Sequence, residues 1–141
     1  MSVRVADRSL SKMEYVRNAQ QMVYLIQERI AKYINKIDKD KRYKHLSKSS
    51  QYSVWNSPIY HAQMIYKYCQ IANMMRTPDN RLKCLSIASL NLQLLETSIQ
   101  TFYKSFKAVI KDKFIELLTD KIDYQKRLID GVEKYCRNNN C

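Results

Sequence analysis

Apolar residues recur along most of this chain at intervals of three and four, the spacing that places them on one face of an α-helix. The first such stripe is Val16, Ala19, Val23, Ile26, Ile30, Tyr33 and Ile37. Ser11-Lys12-Met13-Glu14 precedes it. Ser followed three residues later by Glu is a capping box, each side chain satisfying a backbone N–H left free at a helix start. A helix is therefore expected from Ser11 to the polar run Asp38-Lys39-Asp40-Lys41-Arg42. The second stripe is Ala62, Ile65, Cys69 and Ala72, flanked by Ile59, Tyr66 and Met75. Ser57-Pro58 predicts its start, since Ser caps and Pro is preorganised for the first helical position. It must end before Thr77-Pro78, because Pro disfavours helical geometry in the residue before it.

Thr77-Pro78 repeats the start signal for a third helix. Its stripe is the longest: Leu85, Ala88, Leu92, Leu95, Ile99, Phe102, Phe106 and Val109. Ile87, Leu90 and Leu94 widen it beyond what one buried face needs, implying a central position or an oligomer interface. Asp112 is the expected cap of a fourth helix with Phe114, Leu117, Leu118, Ile122, Leu128, Ile129, Val132 and Tyr135 on its inner side. Residues 38–56 show no convincing period and read as a basic loop pinned by Tyr52 and Trp55. Short joints near Thr77 and Lys111 make successive helices antiparallel. The expected fold is all-α: an up-down-up-down four-helix bundle over residues 11–136, with a flexible segment 1–10 before it and a frayed tail 137–141 after it. Helices of about 25 residues make the bundle roughly 37 Å long at 1.5 Å per residue.

Composition supports this plan. With one Gly and two Pro in 141 residues, the chain is poor in turn formers and long enough for one core without metals or disulfides. No stretch has the length of apolar sequence that a membrane span requires, and Met1 to Leu10 lacks a signal-peptide core, so a cytoplasmic protein without membrane attachment is expected. In that compartment Cys69, Cys84, Cys136 and Cys141 should be free thiols. No two of them form a CxxC pair, so no zinc site is expected.

Charge changes the picture more. The chain carries 25 Lys and Arg against 13 Asp and Glu, a net charge of +12. Residues 1–76 hold net +9, from 14 basic and 5 acidic side chains, and residues 77–141 only net +3. The excess concentrates in Arg29, Lys32, Lys36, Lys39, Lys41, Arg42, Lys44 and Lys48, opposed within that run only by Asp38 and Asp40. Arg29, Lys32 and Lys36 share a helix face and lead into the basic loop. Such a cluster attracts polyanions, and RNA is the expected partner. A merely solubilising surface is the competing account. Tyr33, Tyr43, Tyr52 and Trp55 interleave with these cations, as in proteins that stack unpaired bases, although Tyr33 and Trp55 fit a core equally well. Binding is expected to follow phosphates and shape, not base identity.

Catalytic chemistry is not legible. His45 and His61 lie in different segments, neither with a carboxylate at the spacing of a catalytic pair or metal set. His45 suits a phosphate donor, and His61 a surface or helix-terminal place. One Gly cannot build a phosphate loop. The expectation is a non-enzyme without cofactor or metal.

The order of several elements resembles the accessory variability determinant (Avd) family of diversity-generating retroelements and the related bundle proteins encoded in ribosomal RNA intervening sequences. The elements are Asp40-Lys41-Arg42-Tyr43, Ile71-Ala72-Asn73, Arg81, Ile110-Lys111-Asp112-Lys113-Phe114 and Lys126-Arg127-Leu128-Ile129-Asp130-Gly131, spread over residues 13–135. The last is similar to the family's Gly-Arg-x-Leu-Gly-Gly-Trp stretch, with Lys126 at its first Gly and Val132 at its Trp. The resemblance implies a four-helix protomer assembled as a homopentamer. It also implies a non-catalytic role in mutagenic cDNA synthesis, binding template RNA or an RNA/DNA hybrid and a reverse transcriptase. The alternative is a structural or interaction protein of the intervening-sequence type, with no polymerase partner.

Overall fold

The computed structural model describes residues 5–139, with side chains over residues 13–138. Residues 1–4 and 140–141, parts of the expected N-terminal segment and C-terminal tail, lie outside the described residues, as does Cys141. Four helices follow one another: α1 (Val5–Lys39), α2 (Lys48–Met74), α3 (Pro78–Ser105) and α4 (Asp112–Asn139). A single 3-10 turn, Lys41–Tyr43, lies between α1 and α2. Each helix packs on its sequence neighbour, and α1 closes against α4; among the described residues the diagonal pairs meet only through side chains in the core, Tyr33 with Phe102 and Gln125 with Cys69. Position along one helix runs opposite to position along the next. Asn18 of α1 reaches Gln125 of α4, whereas Tyr33 meets Phe114. His61 of α2 meets Asn91 of α3, whereas Ala72 meets Arg81. The expected antiparallel four-helix bundle is the observed fold.

The stripes form its core. Ile26, Ile30, Ile65, Leu85, Leu92, Leu95, Phe102 and Leu118 are completely or almost completely buried. Each such side chain contributes about 1.5–3 kcal/mol relative to exposure. One cluster of polar groups is buried with them. The Gln125 side chain is fully buried and satisfied on both sides: its Nε2 donates to the Tyr15 carbonyl at 2.7 Å, and its Oε1 accepts from Asn18 Nδ2 at 2.8 Å. These bonds tie α1 to α4 in one register. Cys69 lies against the same amide and burial pushes its thiol up to about 12, so it is an inert core residue at neutral pH.

Helix boundaries differ from the sequence expectation in three places. First, the chain is already helical at Val5, the first described residue, so Ser11 stands inside α1 and the capping box is not its start. Nothing between Val5 and Ser11 breaks a helix, and an interior Ser costs only a few tenths of a kcal/mol (about 0.5).

Second, α2 begins at Lys48, not at Ser57-Pro58, which shortens the expected loop 38–56 to residues 40–47. Ser47 is the true cap, its hydroxyl accepting the Ser50 N–H at 3.1 Å. Gln51 then donates to the Tyr43 and Leu46 carbonyls at 3.3 and 3.1 Å, and Val54 and Trp55 pack on the core. Pro58 is a buried interior residue. Its missing N–H removes one helical bond, an unfavourable term of about 3 kcal/mol that this added packing offsets. The period was hidden because the inward position nearest the cap is a glutamine.

Third, α3 ends at Ser105, and Phe106, Val109 and Ile110 fill the bottom of the core from the joint to α4. Asp112 is the first residue of α4 and accepts a short hydrogen bond from the Tyr103 hydroxyl.

Other expectations resolve locally. His61 is half-buried in mid-helix, its Nδ1 3.0 Å from Asn91 Oδ1, and not a terminal surface residue, because α2 starts earlier than expected. Cys69 and Cys84 are free, whereas Cys136 is disulfide-bonded. Cys136 thus departs from the expectation of free thiols throughout. Gly131 lies exposed inside α4, and a Cβ added there meets no atom within 4 Å. Gly131→Ala should therefore raise stability by about 1 kcal/mol, seen as a higher urea midpoint with unchanged slope.

Candidate nucleic-acid interface

All eight cations singled out in the sequence are exposed and sit at one end of the bundle. Arg29, Lys32, Lys36 and Lys39 lie on the last turns of α1. Lys41 and Arg42 form the 3-10 turn, Lys44 follows it, and Lys48 opens α2. The turn is held by Asp40, whose carboxylate accepts from the Arg42 backbone N–H at 2.9 Å, from Nε at 3.0 Å and from Nη2 at 2.7 Å. Hydrogen bonds from the Arg42 side chain, then from its backbone, hold the Asp40 carboxyl below the usual range. Tyr43 packs edge-on against Phe106 with ring centroids 5.1 Å apart, and Gln51 holds the Tyr43 carbonyl. The basic segment is thus fixed to the bundle from two directions.

The eight differ in availability. Arg42 is committed to Asp40, and Lys32 is 3.1 Å from Glu28 in an exposed pair of little energetic weight. The Lys36 ammonium lies 5.8 Å from the Tyr33 ring centroid. Arg29, Lys39, Lys41, Lys44 and Lys48 form no ion pair among the described residues.

Four further cations reach the same end and were not singled out in the sequence. Lys104 and Lys107 close α3, and Lys111 and Lys113 open α4; all four are exposed. Tyr33 draws this joint to α1, its hydroxyl accepting the Lys111 backbone N–H at 3.2 Å. The sequence signal for them was topological. Antiparallel helices bring the end of α3 beside the end of α1, but charge was counted along the chain and not across the bundle. Glu28, Asp38, Asp112 and Glu116 are the exposed carboxylates in and beside these segments; Glu28 pairs with Lys32, and Asp112 is occupied by Tyr103.

The interleaved aromatics serve mainly as core. Tyr33 is 4 % exposed and stacks with Phe102 and Phe114. Tyr43 and Trp55 are half-buried against the core, and of the four only Tyr52, 57 % exposed, presents its ring to solvent. His45 is exposed in the joint after the turn.

Away from this end, four cations are engaged in structure by hydrogen bonds or ion pairs. Arg81 reaches back to the last turn of α2, donating to the Ala72 and Met75 carbonyls at 3.0 and 2.8 Å. It thereby satisfies acceptors that a helix end leaves open. Lys126 pairs with Glu96 across α3 and α4, and Arg17 and Arg137 pair within their helices.

Compared with family models, curated proteins and solved structures, the chain matches none. Its function must be argued from the chemistry of this surface. Among the described residues no group of three or more His, Cys, Asp or Glu is placed to hold a metal ion, and no helix is long and apolar enough to cross a membrane.

Proposed function

We propose that this protein is a non-catalytic RNA-binding accessory, and that the RNA is a template it presents to a retroelement reverse transcriptase. The observation that carries the RNA reading is the basic end of the bundle, where exposed cations without protein partners are held on a rigid frame. Unpaired cations in a fixed array neutralise phosphates with little loss of their own freedom, which favours a polyanion over bulk counterions. The polymerase partner comes from the resemblance to the Avd family, whose basic element falls on residues 40–43 of this end.

Assembly is part of the same reading. Ile87, Leu90 and Leu94 form an apolar stripe on the outer side of α3, 39 %, 55 % and 41 % exposed. They do not place α3 centrally; they supply an adhesive face, and the homopentamer implied by the resemblance would use it.

The test is capture and use of RNA. Protein purified at low salt should carry ribonuclease-sensitive nucleic acid, and a retroelement reverse transcriptase should give more cDNA from its template RNA when the protein is added. RNA capture without any effect on cDNA favours the intervening-sequence type of role. Protein that is free of nucleic acid at low salt contradicts both.

A further inference from the structure

The lysines of the α3–α4 joint differ in how well their helix ends suit them, and their positions are informative. Helix dipoles favour cations at C-termini and disfavour them at N-termini. Lys36, Lys39 and Lys104 lie where the dipole welcomes them. Lys48 is the first residue of α2, and Lys111 and Lys113 flank the first residue of α4, where a carboxylate would stabilise the helix and a cation does not. None of Lys104, Lys107, Lys111 and Lys113 forms an ion pair among the described residues. Cations kept at unfavourable helix ends, exposed and unpaired, suit an external anion.

The two basic joints also form one surface. The Tyr43–Phe106 contact and the Lys111–Tyr33 hydrogen bond lock the 40–47 joint and the 106–111 joint side by side. In doing so they spend the Tyr33 and Tyr43 rings on packing, so of the four interleaved aromatics only Tyr52 offers its ring to solvent. Proteins that bind unpaired strands stack successive bases on exposed aromatics, whereas base-paired RNA is held through its phosphates and shape.

From this we infer that Lys104, Lys107, Lys111 and Lys113 are the second half of the RNA interface, and that the interface takes the phosphate backbone of base-paired RNA, not unpaired bases. The inference rests on the RNA-binding reading above and specifies both its extent and its ligand.

The experiment compares binding of an RNA hairpin and an oligouridine of equal length across a salt series. Three proteins are used: the wild type, the joint variant K104E/K107E/K111E/K113E, and a control with equal charge change elsewhere, K67E/R76E/K83E/K134E. The control residues are exposed and lie outside both joints. The wild type should prefer the hairpin. The joint variant should lower the logarithmic salt slope by about 3–4, making the loss of affinity between 50 and 200 mM salt on the order of a hundredfold smaller than in the wild type. The control should leave the slope nearly unchanged. A K104Q/K107Q/K111Q/K113Q variant with native helicity by circular dichroism should follow the joint variant, separating contact loss from misfolding. Equal effects of joint and control variants would overturn the assignment of the joint, since only net charge would then matter. Oligouridine bound as tightly as the hairpin would overturn the choice of base-paired RNA. A wild type that binds neither would remove the RNA-binding reading itself.

Discussion

Phe102→Ala should destabilise the protein by about 3–5 kcal/mol, the usual loss when a buried Phe is truncated and its cavity only partly collapses. Phe102 is fully buried, and its ring meets those of Tyr33 and Phe106 at centroid distances of 6.3 and 5.8 Å. It joins α1 to the end of α3 at the level where the chain turns toward α4. A domain of this size has about 5–15 kcal/mol of stability in all, so the change removes a large part of it. Urea unfolding should show the midpoint falling while the slope stays constant. The effect should also reach the basic end, because Tyr43 rests on Phe106 and Phe106 rests on Phe102. Amides of residues 41–46 should therefore exchange faster in the variant than those of the mid-bundle. A loss below about 1 kcal/mol would mean that this aromatic cluster does not organise the end of the bundle.

Reversing Lys36, Lys41, Lys44 and Lys48 to Glu should reduce affinity for structured RNA by roughly a hundredfold or more at low salt, with a salt slope lower by about 3–4. The choice of residues follows from their surroundings. Lys32 and Arg42 belong to the same cluster but face Glu28 and Asp40. Reversing Arg42 would set a second carboxylate against Asp40 and dissolve the 3-10 turn, mixing a structural effect with a binding one. The four chosen side chains are exposed, and none has a carboxylate partner among the described residues. Thermal stability should change little, since exposed charges away from ion pairs contribute less than about 0.5 kcal/mol each. RNA affinity and slope that survive this change would relocate the interface.

The parts of this account that were legible in the sequence are those where a single physical signal dominates. The stripe from Leu85 to Phe102 is buried as its spacing required, and Thr77 caps α3 by accepting the Asn80 N–H at 3.4 Å. The start of α2 was not legible because two signals conflicted. Ser57-Pro58 has the form of a helix start, while the actual start lies in a polar stretch whose inward residue is Gln51. Tertiary contacts to the Tyr43 and Leu46 carbonyls decide the matter, and they are invisible to local pattern.

The candidate interface divides in the same way. Consecutive cations from Arg29 to Lys48 stand out along the chain, and the structure leaves all of them exposed. That Asp40 engages Arg42 depends on a fork of hydrogen bonds that composition does not encode. Lys104 to Lys113 join the cluster only through the antiparallel packing of α3 and α4. The role of Arg81 was likewise hidden. In this structure it closes the C-terminus of α2.

Whether the basic end of the bundle binds RNA is read most directly from the affinity of the wild-type protein for a long structured RNA across a salt series. Log affinity should fall linearly with log salt, steeply enough to correspond to several neutralised phosphates at about 0.7–0.9 per contact. Absence of binding at about 0.15 M salt, where surface fields are screened beyond about 8 Å, would contradict it and leave the charge of this end as a solubilising feature.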